Sequence, residues 1–333
     1  MRIHISSHVP ALVSYPLSTD HTAVKYYPKM VRKGETSATA DGSVAVRALS
    51  HSVGQPRCPD FLAPKLLGPS WQKALFTLGR CFPSMFRSVW RAYHSRLPGI
   101  IEAHLTRTLF YDQAVGEALG GGDGKLACEQ YVILGAGMDS RAYRFSELIK
   151  SNKVKVFEVD FHATQAGKQK RLRRARIDNT HVTYVACDFL REKFVNKLAA
   201  CGFDTNKKTV ITWEGVTMYL NEAVVRETCE FAATLPTGST LLYDYVLPVF
   251  YENPGSLSGA VKHNKYVLKS GEPYTFGHEF SEYPAFVESC GLRVKQNVTA
   301  AELDRMYLSS EQDKHLPKER HVTPWYGIAQ AVV

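Results

Sequence analysis

The segment YVILGAGMDSRAYRF, residues 131–145, constrains the fold of this chain more than any other part of its sequence. Its apolar start, YVIL, predicts a buried strand, and Gly135 and Gly137 follow at once. Glycine permits the tight strand-to-helix turn in which the backbone approaches a ligand closely. Asp139 and Ser140 are typical N-cap residues for a helix that follows. The segment therefore predicts an α/β protein with a ligand-binding turn after a buried strand.

Three further strand-like segments each end on polar residues. VKVFEVD ends at Asp160, HVTYVAC is followed by Asp188 and Phe189, and TVITWEG contains Glu214 near its end. Open α/β sheets bind ligands at the carboxyl ends of their strands, so we expect these side chains along one rim. Asp160, about 20 residues after the glycines, suits the two hydroxyls of a ribose. Asp188 and Phe189 suit the exocyclic amine and the ring face of an adenine.

The glycine pair has several interpretations when it is taken alone. A plain tight turn, a dinucleotide site and a site for another adenosine-containing ligand all use such a loop, and Ser140 stands where the dinucleotide pattern has its third glycine. The recurrence of polar residues at successive strand ends favours a site for an adenosine-containing ligand.

Four segments together resemble the successive motifs of a known family. VILGAGMDSRAYRF, FEVDFHATQAGKQKRL, CDF and TWEGVTMYL are similar to those of the leucine carboxyl methyltransferase superfamily, and the resemblance covers roughly residues 35–333. Its members are S-adenosylmethionine-dependent O-methyltransferases with the class I Rossmann-like fold. The resemblance implies that Gly135 and Gly137 line the methionine part of the cofactor and that Glu214 lies beside its sulfonium. It also assigns the ribose contact to Asp160 and the adenine contacts to Asp188 and Phe189.

The resemblance also implies two basic contacts with the cofactor. TRTLFYD resembles the segment whose arginine binds the cofactor's carboxylate, which indicates Arg107, and TSATADGSVAVRAL indicates Arg47 as a second contact. Tyr219 is expected to position the methyl acceptor, with packing beneath the loop after the fourth strand as the alternative. A carboxylate acceptor needs no base, whereas a hydroxyl acceptor would benefit from one. His162 and His278 are candidates for that base, with structural or surface roles as the alternative.

The chain divides into three expected regions. Residues 1–34 are expected to be a disordered or family-specific N-terminal extension, with a transit peptide as the alternative, and residues 35–128 form a helical cap in which Pro83 breaks the helical pattern. A flexible GGGDG link leads to the first strand. Residues 129–333 form a Rossmann-like methyltransferase domain with a mostly parallel sheet and a substrate-side insertion at about 248–285. GLRVKQNV and WYGIAQAVV supply its terminal antiparallel strands.

Composition narrows the class of protein. The chain has 333 residues and is 44% apolar, which is ample for a sizeable core. We find no apolar run of the roughly 20 residues that a membrane span requires. The first 30 residues also lack the continuous apolar core that is typical of a secretory signal. The seven cysteines are scattered without a CxxC pair, so we expect reduced thiols, mostly in the core, and no metal site. A cytoplasmic protein is the expectation, and its oligomeric state is not defined by the sequence.

The net charge of +9 invites a nucleic-acid interpretation. Its densest basic run is GKQKRLRRAR, in which Lys168, Arg171 and later basic residues are expected on the solvated outer face of a crossover helix. No aromatic residues are interleaved as in proteins that stack single-stranded bases. We therefore expect neither a nucleic-acid partner nor a membrane partner.

Three functions follow from these patterns. The first is methyl transfer from S-adenosylmethionine to a carboxyl or hydroxyl oxygen, with a small metabolite as the favoured acceptor and a protein C-terminal carboxylate as the alternative. The second is an NAD(P)-dependent oxidoreductase that uses the same glycine loop. The third is a non-catalytic protein that binds adenosine or associates with nucleic acid.

Overall fold

The computed structural model describes residues 38–53, 56–68, 70–120, 128–189, 191–270, 273–308 and 320–333. The predictions for residues 1–34, and for the GGGDG link after Gly120, lie outside this described part. Strands and helices alternate along most of it. The strands are β1 (Gln130–Leu134), β2 (Lys155–Asp160), β3 (Val182–Ala186), β4 (Thr209–Trp213), β5 (Thr240–Val246), β6 (Arg293–Thr299) and β7 (Tyr326–Val332).

The helices fall into a group before β1 and a group that connects the strands. They are α1 (Ala38–Val53), α2 (Ser70–Cys81), α3 (Pro83–Arg96), α4 (Ile100–Ala118), α5 (Arg141–Arg144), α6 (Ser146–Ser151), α7 (His162–Ala175), α8 (Phe194–Ala200), α9 (Glu222–Ala233), α10 (Val249–Glu252), α11 (Ala260–Ser270), α12 (Tyr283–Ser289) and α13 (Ala300–Tyr307). The expected break at Pro83 is confirmed, since α3 begins there.

The strands form one sheet in the order β3-β2-β1-β4-β5-β7-β6. Strands β1 to β5 run parallel, whereas β7 is antiparallel to both β5 and β6. In β1, Val132 pairs with Phe157 of β2 on one side and with Ile211 of β4 on the other. The predicted Rossmann-like sheet with its terminal antiparallel strands is thus confirmed. The strand order reverses beside β1, which creates the crevice where open sheets bind ligands.

Helices cover both faces of the sheet, so its central strands are buried throughout. Successive side chains of a strand point to opposite faces. Tyr131 and Ile133 accordingly belong to the core on the side of α1 and α4, whereas Val132 and Leu134 belong to the core on the side of α8 and α9. This burial on two faces explains why YVIL reads as a continuous apolar run rather than an alternating one.

The basic run in α7 does not form the solvated face that its sequence predicts. Lys168 is 1% exposed, and its Nζ lies 2.8 Å from Glu158 Oε1 in β2 and 3.3 Å from the carbonyl oxygen of Ala136. Arg171 is also buried and pairs with Asp41 of α1 at 2.5 Å. The prediction for these two residues was wrong because buried Glu158 in β2 and partly exposed Asp41 in α1 supply ion-pair partners, which offset part of the cost of burying charge.

Ser140 occupies the N-cap position of α5, as predicted, but its side chain does not cap the helix. Ser140 makes no cap hydrogen bond and donates instead to Asp60 Oδ1 at 2.6 Å. Asp139 accepts the backbone N–H of Arg141 at 2.7 Å, so the acid supplies the local bond. The expected helix is divided into the short helices α5 and α6.

All seven cysteines are free thiols, and five are buried, which confirms that they belong mostly to the core. In the described ranges, no helix is both long enough and apolar enough to cross a membrane.

Candidate functional site

A cavity lies at the carboxyl ends of the parallel strands, beside the reversal of strand order at β1 and β4. Seven of the residues that the sequence predicts for the site line it, and so does Arg47. The seven are Arg107, Gly135, Gly137, Asp160, Phe189, Glu214 and Tyr219. The chain separations among them are large, and the parallel topology is what brings these strand ends together.

The turn after β1 requires both of its glycines. Gly135 has a φ of +62° and Gly137 a φ of +40°, a backbone region that residues with a Cβ rarely adopt. A Cβ on Gly135 would lie only 2.3 Å from Cγ2 of Val216. The turn after β1 thus packs closely against Val216 in the loop after β4. The floor of the cavity carries no side chain at these two glycine positions.

Asp160 ends β2 and fixes the glycine turn. Its Oδ2 accepts the Gly137 N–H at 2.5 Å, and its Oδ1 accepts the Phe161 N–H at 2.6 Å. Burial raises the pKa of Asp160, and these two hydrogen bonds only partly oppose that effect. A carboxylate offers about four lone-pair positions. Each oxygen of Asp160 therefore keeps acceptor capacity beyond its backbone bond.

Glu214, directly after β4, is held by two arginines. Its Oε1 lies 2.9 Å from Arg107 Nε, and its Oε2 lies 2.5 Å from Arg141 Nη1. Burial alone would raise the pKa of Glu214, but Arg141 and Arg107 outweigh it and hold that pKa well below its usual range. Glu214 is therefore an anion at the wall of the cavity at neutral pH.

Asp244 in β5 completes this ion network, and sequence reasoning missed it. Its side chain is fully buried, and its Oδ2 accepts from Arg107 Nη1 at 3.0 Å and from the Tyr326 hydroxyl at 2.6 Å. Its Oδ1 accepts the Gly215 N–H at 2.6 Å, beside Glu214. An acid within the apolar run TLLYDYV was the available signal, because a buried charge needs a partner.

Arg47 connects α1 to the glycine loop. Its Nη2 donates to the carbonyl oxygen of Met138 at 2.7 Å, and its Nε donates to Asp60 Oδ2 at 2.9 Å. Burial would raise the pKa of Asp60, yet Arg47 and Arg144 lower it overall. The N-terminal helix thus forms one wall of the cavity through charged hydrogen bonds.

Asp188 lies next to Phe189 but is outside the set of described residues that line the cavity. Its backbone N–H donates to Glu192 Oε2 at 3.0 Å, and its carboxylate lies 3.7 Å from Arg191 Nε. Phe189 packs its ring against Phe194, with centroids 5.9 Å apart. The adenine role of Asp188 stays a prediction.

The two histidines singled out by sequence lie away from the cavity lining that the structure describes. His162 is exposed at the start of α7. His278 is buried among aromatic rings, its Nε2 lies 3.3 Å from the Tyr243 hydroxyl, and burial lowers its pKa to about 4. Two other histidines, His104 and His263, line the cavity instead.

Tyr219 lines the cavity from a 3₁₀ turn at Thr217–Tyr219, directly after the loop that follows β4. Its ring meets that of Tyr274 edge to face, with centroids 5.1 Å apart. Tyr274 belongs to the expected insertion, so this part of the chain does reach the cavity. The position agrees with either role considered for Tyr219, contact with an acceptor or packing.

Comparison with known proteins identifies one family. The family model described as leucine carboxyl methyltransferase matches residues 40–233. YktD of Bacillus subtilis (strain 168), provisionally named an S-adenosyl-L-methionine-dependent methyltransferase, is 31% identical over 191 residues, covering 56% of this chain and 62% of YktD. FRAAL3718 of Frankia alni, which carries the same provisional name, is 33% identical over 202 residues, covering 60% of this chain and 64% of that protein. The chain spans less than two thirds of the length of these relatives.

A solved structure supports the fold. The crystal structure of a DUF574 family protein from Streptomyces avermitilis superposes with a TM-score of 0.52 at 14% sequence identity. The match covers 74% of this chain and 90% of that protein. At this identity the likeness concerns the fold alone.

Proposed function

Because the chain belongs to the leucine carboxyl methyltransferase family, we propose that it transfers a methyl group from S-adenosylmethionine to an oxygen atom of a small metabolite. When bound, this cofactor supplies an electrophilic methyl group on a sulfonium. The protein then has to bind it, align the acceptor and exclude water. A protein C-terminal carboxylate is the alternative acceptor, and the family name is compatible with it.

The proposal rests on one observation: Asp160 is hydrogen-bonded to the glycine turn at the point where the strand order reverses. Asp160 Oδ2 accepts the Gly137 N–H at 2.5 Å, and its acceptor capacity is not exhausted by this bond. The residues present therefore fit a nucleoside whose ribose hydroxyls donate to Asp160. Phe189 offers a ring to the adenine face, and Gly135 leaves the floor open for the methionine part.

Arg107 fits the role of binding the cofactor's carboxylate. Its ion pairs engage Nε with Glu214 and Nη1 with Asp244. Among the described residues, Nε makes no hydrogen bond although it lies in the ion pair with Glu214. A guanidinium held by two acids is pre-oriented, so it loses little conformational freedom when it binds a further carboxylate. Arg47 contributes by holding the Met138 carbonyl and thereby the loop.

A small acceptor is favoured by the way the cavity is walled. Residues of the insertion at about 248–285 contribute His263, Tyr266, Val267 and Tyr274 to the lining. A wall on this side of the cavity can contact a compact ligand over much of its surface, whereas a protein terminus needs an open approach. Tyr219 lies in the same wall and is the candidate for positioning the acceptor.

Thermal denaturation tests the cofactor class. S-adenosylhomocysteine at about 100 times its dissociation constant is expected to stabilise the fold by about 2.7 kcal/mol, whereas NAD and NADP are expected to have no effect. Stabilisation by a nicotinamide cofactor alone would favour the oxidoreductase. If none of the three ligands stabilises the protein, the methyltransferase proposal fails.

A labelling experiment tests the acceptor. The protein is incubated with methyl-labelled S-adenosylmethionine and extract from the host organism. A labelled small-molecule fraction is expected. Label in a protein band that is released by mild base as an ester would support the C-terminal carboxylate instead.

A further inference from the structure

Several aromatic side chains lie together in the cavity lining. Tyr219 and Tyr274 meet at 5.1 Å between centroids, and Trp325 packs 5.0 Å from Phe250, which also lies 5.1 Å from Tyr274. Tyr266 adds to the same wall. Flat rings with few polar atoms favour a ligand that is itself flat and largely apolar. We call Tyr219, Tyr266, Tyr274 and Trp325, together with His263, the aromatic wall; Phe250 is buried behind it.

His263 of α11 is the unusual member of the aromatic wall. Its side chain packs against both Phe250 and Trp325, with ring centroids 5.6 and 5.7 Å away. The residue is 5% exposed and lines the cavity. Its Nδ1 is buried and makes no hydrogen bond with any described residue. Buried polar atoms without partners are rare because they are costly, so a ligand atom is a natural partner for this ring.

The imidazole of His263 is neutral at physiological pH, because burial lowers its pKa to about 4. A neutral imidazole has one nitrogen that donates a hydrogen bond and one that accepts. The ring therefore offers an acceptor nitrogen for a hydroxyl group. A carboxylate has no hydrogen to donate, so it could bind only the single N–H group of the ring.

His104 has no comparable capacity although it also lines the cavity. Its Nδ1 lies 2.8 Å from the carbonyl oxygen of Ile100, and its Nε2 lies 3.2 Å from the Ser43 hydroxyl. Both of its ring nitrogens are therefore engaged within the protein. Of the two histidines, His263 is the one with a buried ring nitrogen, Nδ1, that makes no hydrogen bond with a described residue.

The positive charges of the cavity do not favour an acidic acceptor. Arg47 is paired with Asp60, and Arg107 is paired with Glu214 and Asp244. The remaining N–H capacity of Arg107 is already assigned to the cofactor's carboxylate. The charged residues in the described lining belong to the sheet and the cap, whereas the aromatic wall contributes neutral groups.

We propose that the methyl acceptor is a planar aromatic compound bearing a hydroxyl group, and that His263 binds this hydroxyl as a hydrogen-bond acceptor. When the hydroxyl oxygen takes the methyl group, its O–H bond breaks and the proton passes to the accepting nitrogen of His263 and from there to solvent. The inference rests on the proposed methyl transfer and specifies its substrate class. The aromatic wall holds the ring, while His263 selects a hydroxyl over an ether or a carboxylate at the same position.

Three naphthalenes with one variable group test the proposal. Binding of 2-naphthol, 2-methoxynaphthalene and 2-naphthoate is measured by ligand-observed NMR with the full-length protein saturated in S-adenosylhomocysteine. One hydrogen bond corresponds to a preference of about five- to tenfold for 2-naphthol over the ether. A ratio below about twofold in the natural protein, or preferential binding of 2-naphthoate, overturns the proposal without any variant.

Variants then assign the preference to His263. His263→Phe keeps a flat ring without an acceptor and is expected to reduce the naphthol-to-ether ratio to near one, whereas His263→Gln restores an acceptor and part of the ratio. His321→Phe, at an exposed histidine paired with Asp304, is the control and keeps the full ratio. An unchanged ratio in folded His263→Phe overturns the assignment. If S-adenosylhomocysteine itself does not bind, the proposed function fails rather than this inference.

Discussion

Replacing Lys168 by methionine would leave a buried carboxylate without its cation. Lys168 and Glu158 are 1% and 0% exposed and lie 2.8 Å apart, so no water is available to solvate the acid. Removal of one partner of such a pair typically costs about 3–5 kcal/mol. The Tyr143 hydroxyl still donates to Glu158 at 2.8 Å and reduces the cost only in part.

The protonation of Glu158 sets an upper limit to this loss. Burial already raises the pKa of Glu158 despite the presence of Lys168, and losing the lysine raises it further. Protonating a carboxyl of unfolded pKa about 4.3 at pH 7 costs about 3.7 kcal/mol. The variant should therefore lose about 3–4 kcal/mol at pH 7. Because its folded state then binds one proton more than the unfolded state, its deficit should shrink by about 1.4 kcal/mol for each pH unit on acidification.

Urea denaturation followed by circular dichroism at pH 7.0 and pH 5.5 measures both quantities. The deficit of Lys168→Met should narrow by about 2 kcal/mol between these two conditions. Lys170→Met, two residues along α7 and exposed, is the matched control and should change the free energy of unfolding by less than about 0.5 kcal/mol. The reasoning is refuted if Lys168→Met costs less than about 1 kcal/mol at pH 7, or if its deficit does not depend on pH.

Asp160→Ala should abolish binding of S-adenosylhomocysteine in calorimetry while circular dichroism shows a folded protein, because the ribose contact is lost; an unchanged dissociation constant would disprove the ribose assignment. Gly135→Ala should lower the melting temperature more than Gly202→Ala, since both glycines have positive φ but only the first would place its Cβ 2.3 Å from Val216, whereas nothing lies within 4 Å of the second. Equal losses would mean that the contact is relieved at little cost. Glu214→Gln should be less stable than the natural protein at pH 7, and this gap should begin to narrow as the pH falls below about 4, because the stability given by the depressed pKa of Glu214 is lost progressively until the pH reaches that pKa; a gap that stays constant in acid denaturation would contradict the ion-pair argument.

The residues at the rim of the sheet were predictable because each can be recognised from the few residues that precede it in the sequence. Gly135, Gly137, Asp160 and Glu214 each follow an apolar run, and parallel strands bring their carboxyl ends to one edge whatever the connections between them. The length of each run predicted the strands, and the residues after each run were predicted to lie at the rim of the sheet, where the structure places them. The topology then needed only the usual right-handed crossovers.

The buried charges were less predictable. Hydrophobic periodicity indicates which helical face is apolar, but it does not reveal that Lys168 and Arg171 find acids on β2 and α1. Glu158 and Asp244 within apolar strands were the available signals, since an acid at such a position requires a buried partner. His263 gave no comparable signal, because its position depends on how the insertion folds against Trp325.

The bond between Arg107 and Asp244 joins residues 137 positions apart in the chain, and both side chains are buried. Replacement of either residue alone leaves the opposite charge buried without its partner, which is strongly destabilising. Lineages that change position 107 are therefore expected to change position 244 in the same evolutionary interval. Statistical covariation between these two columns should stand out among relatives that share this site.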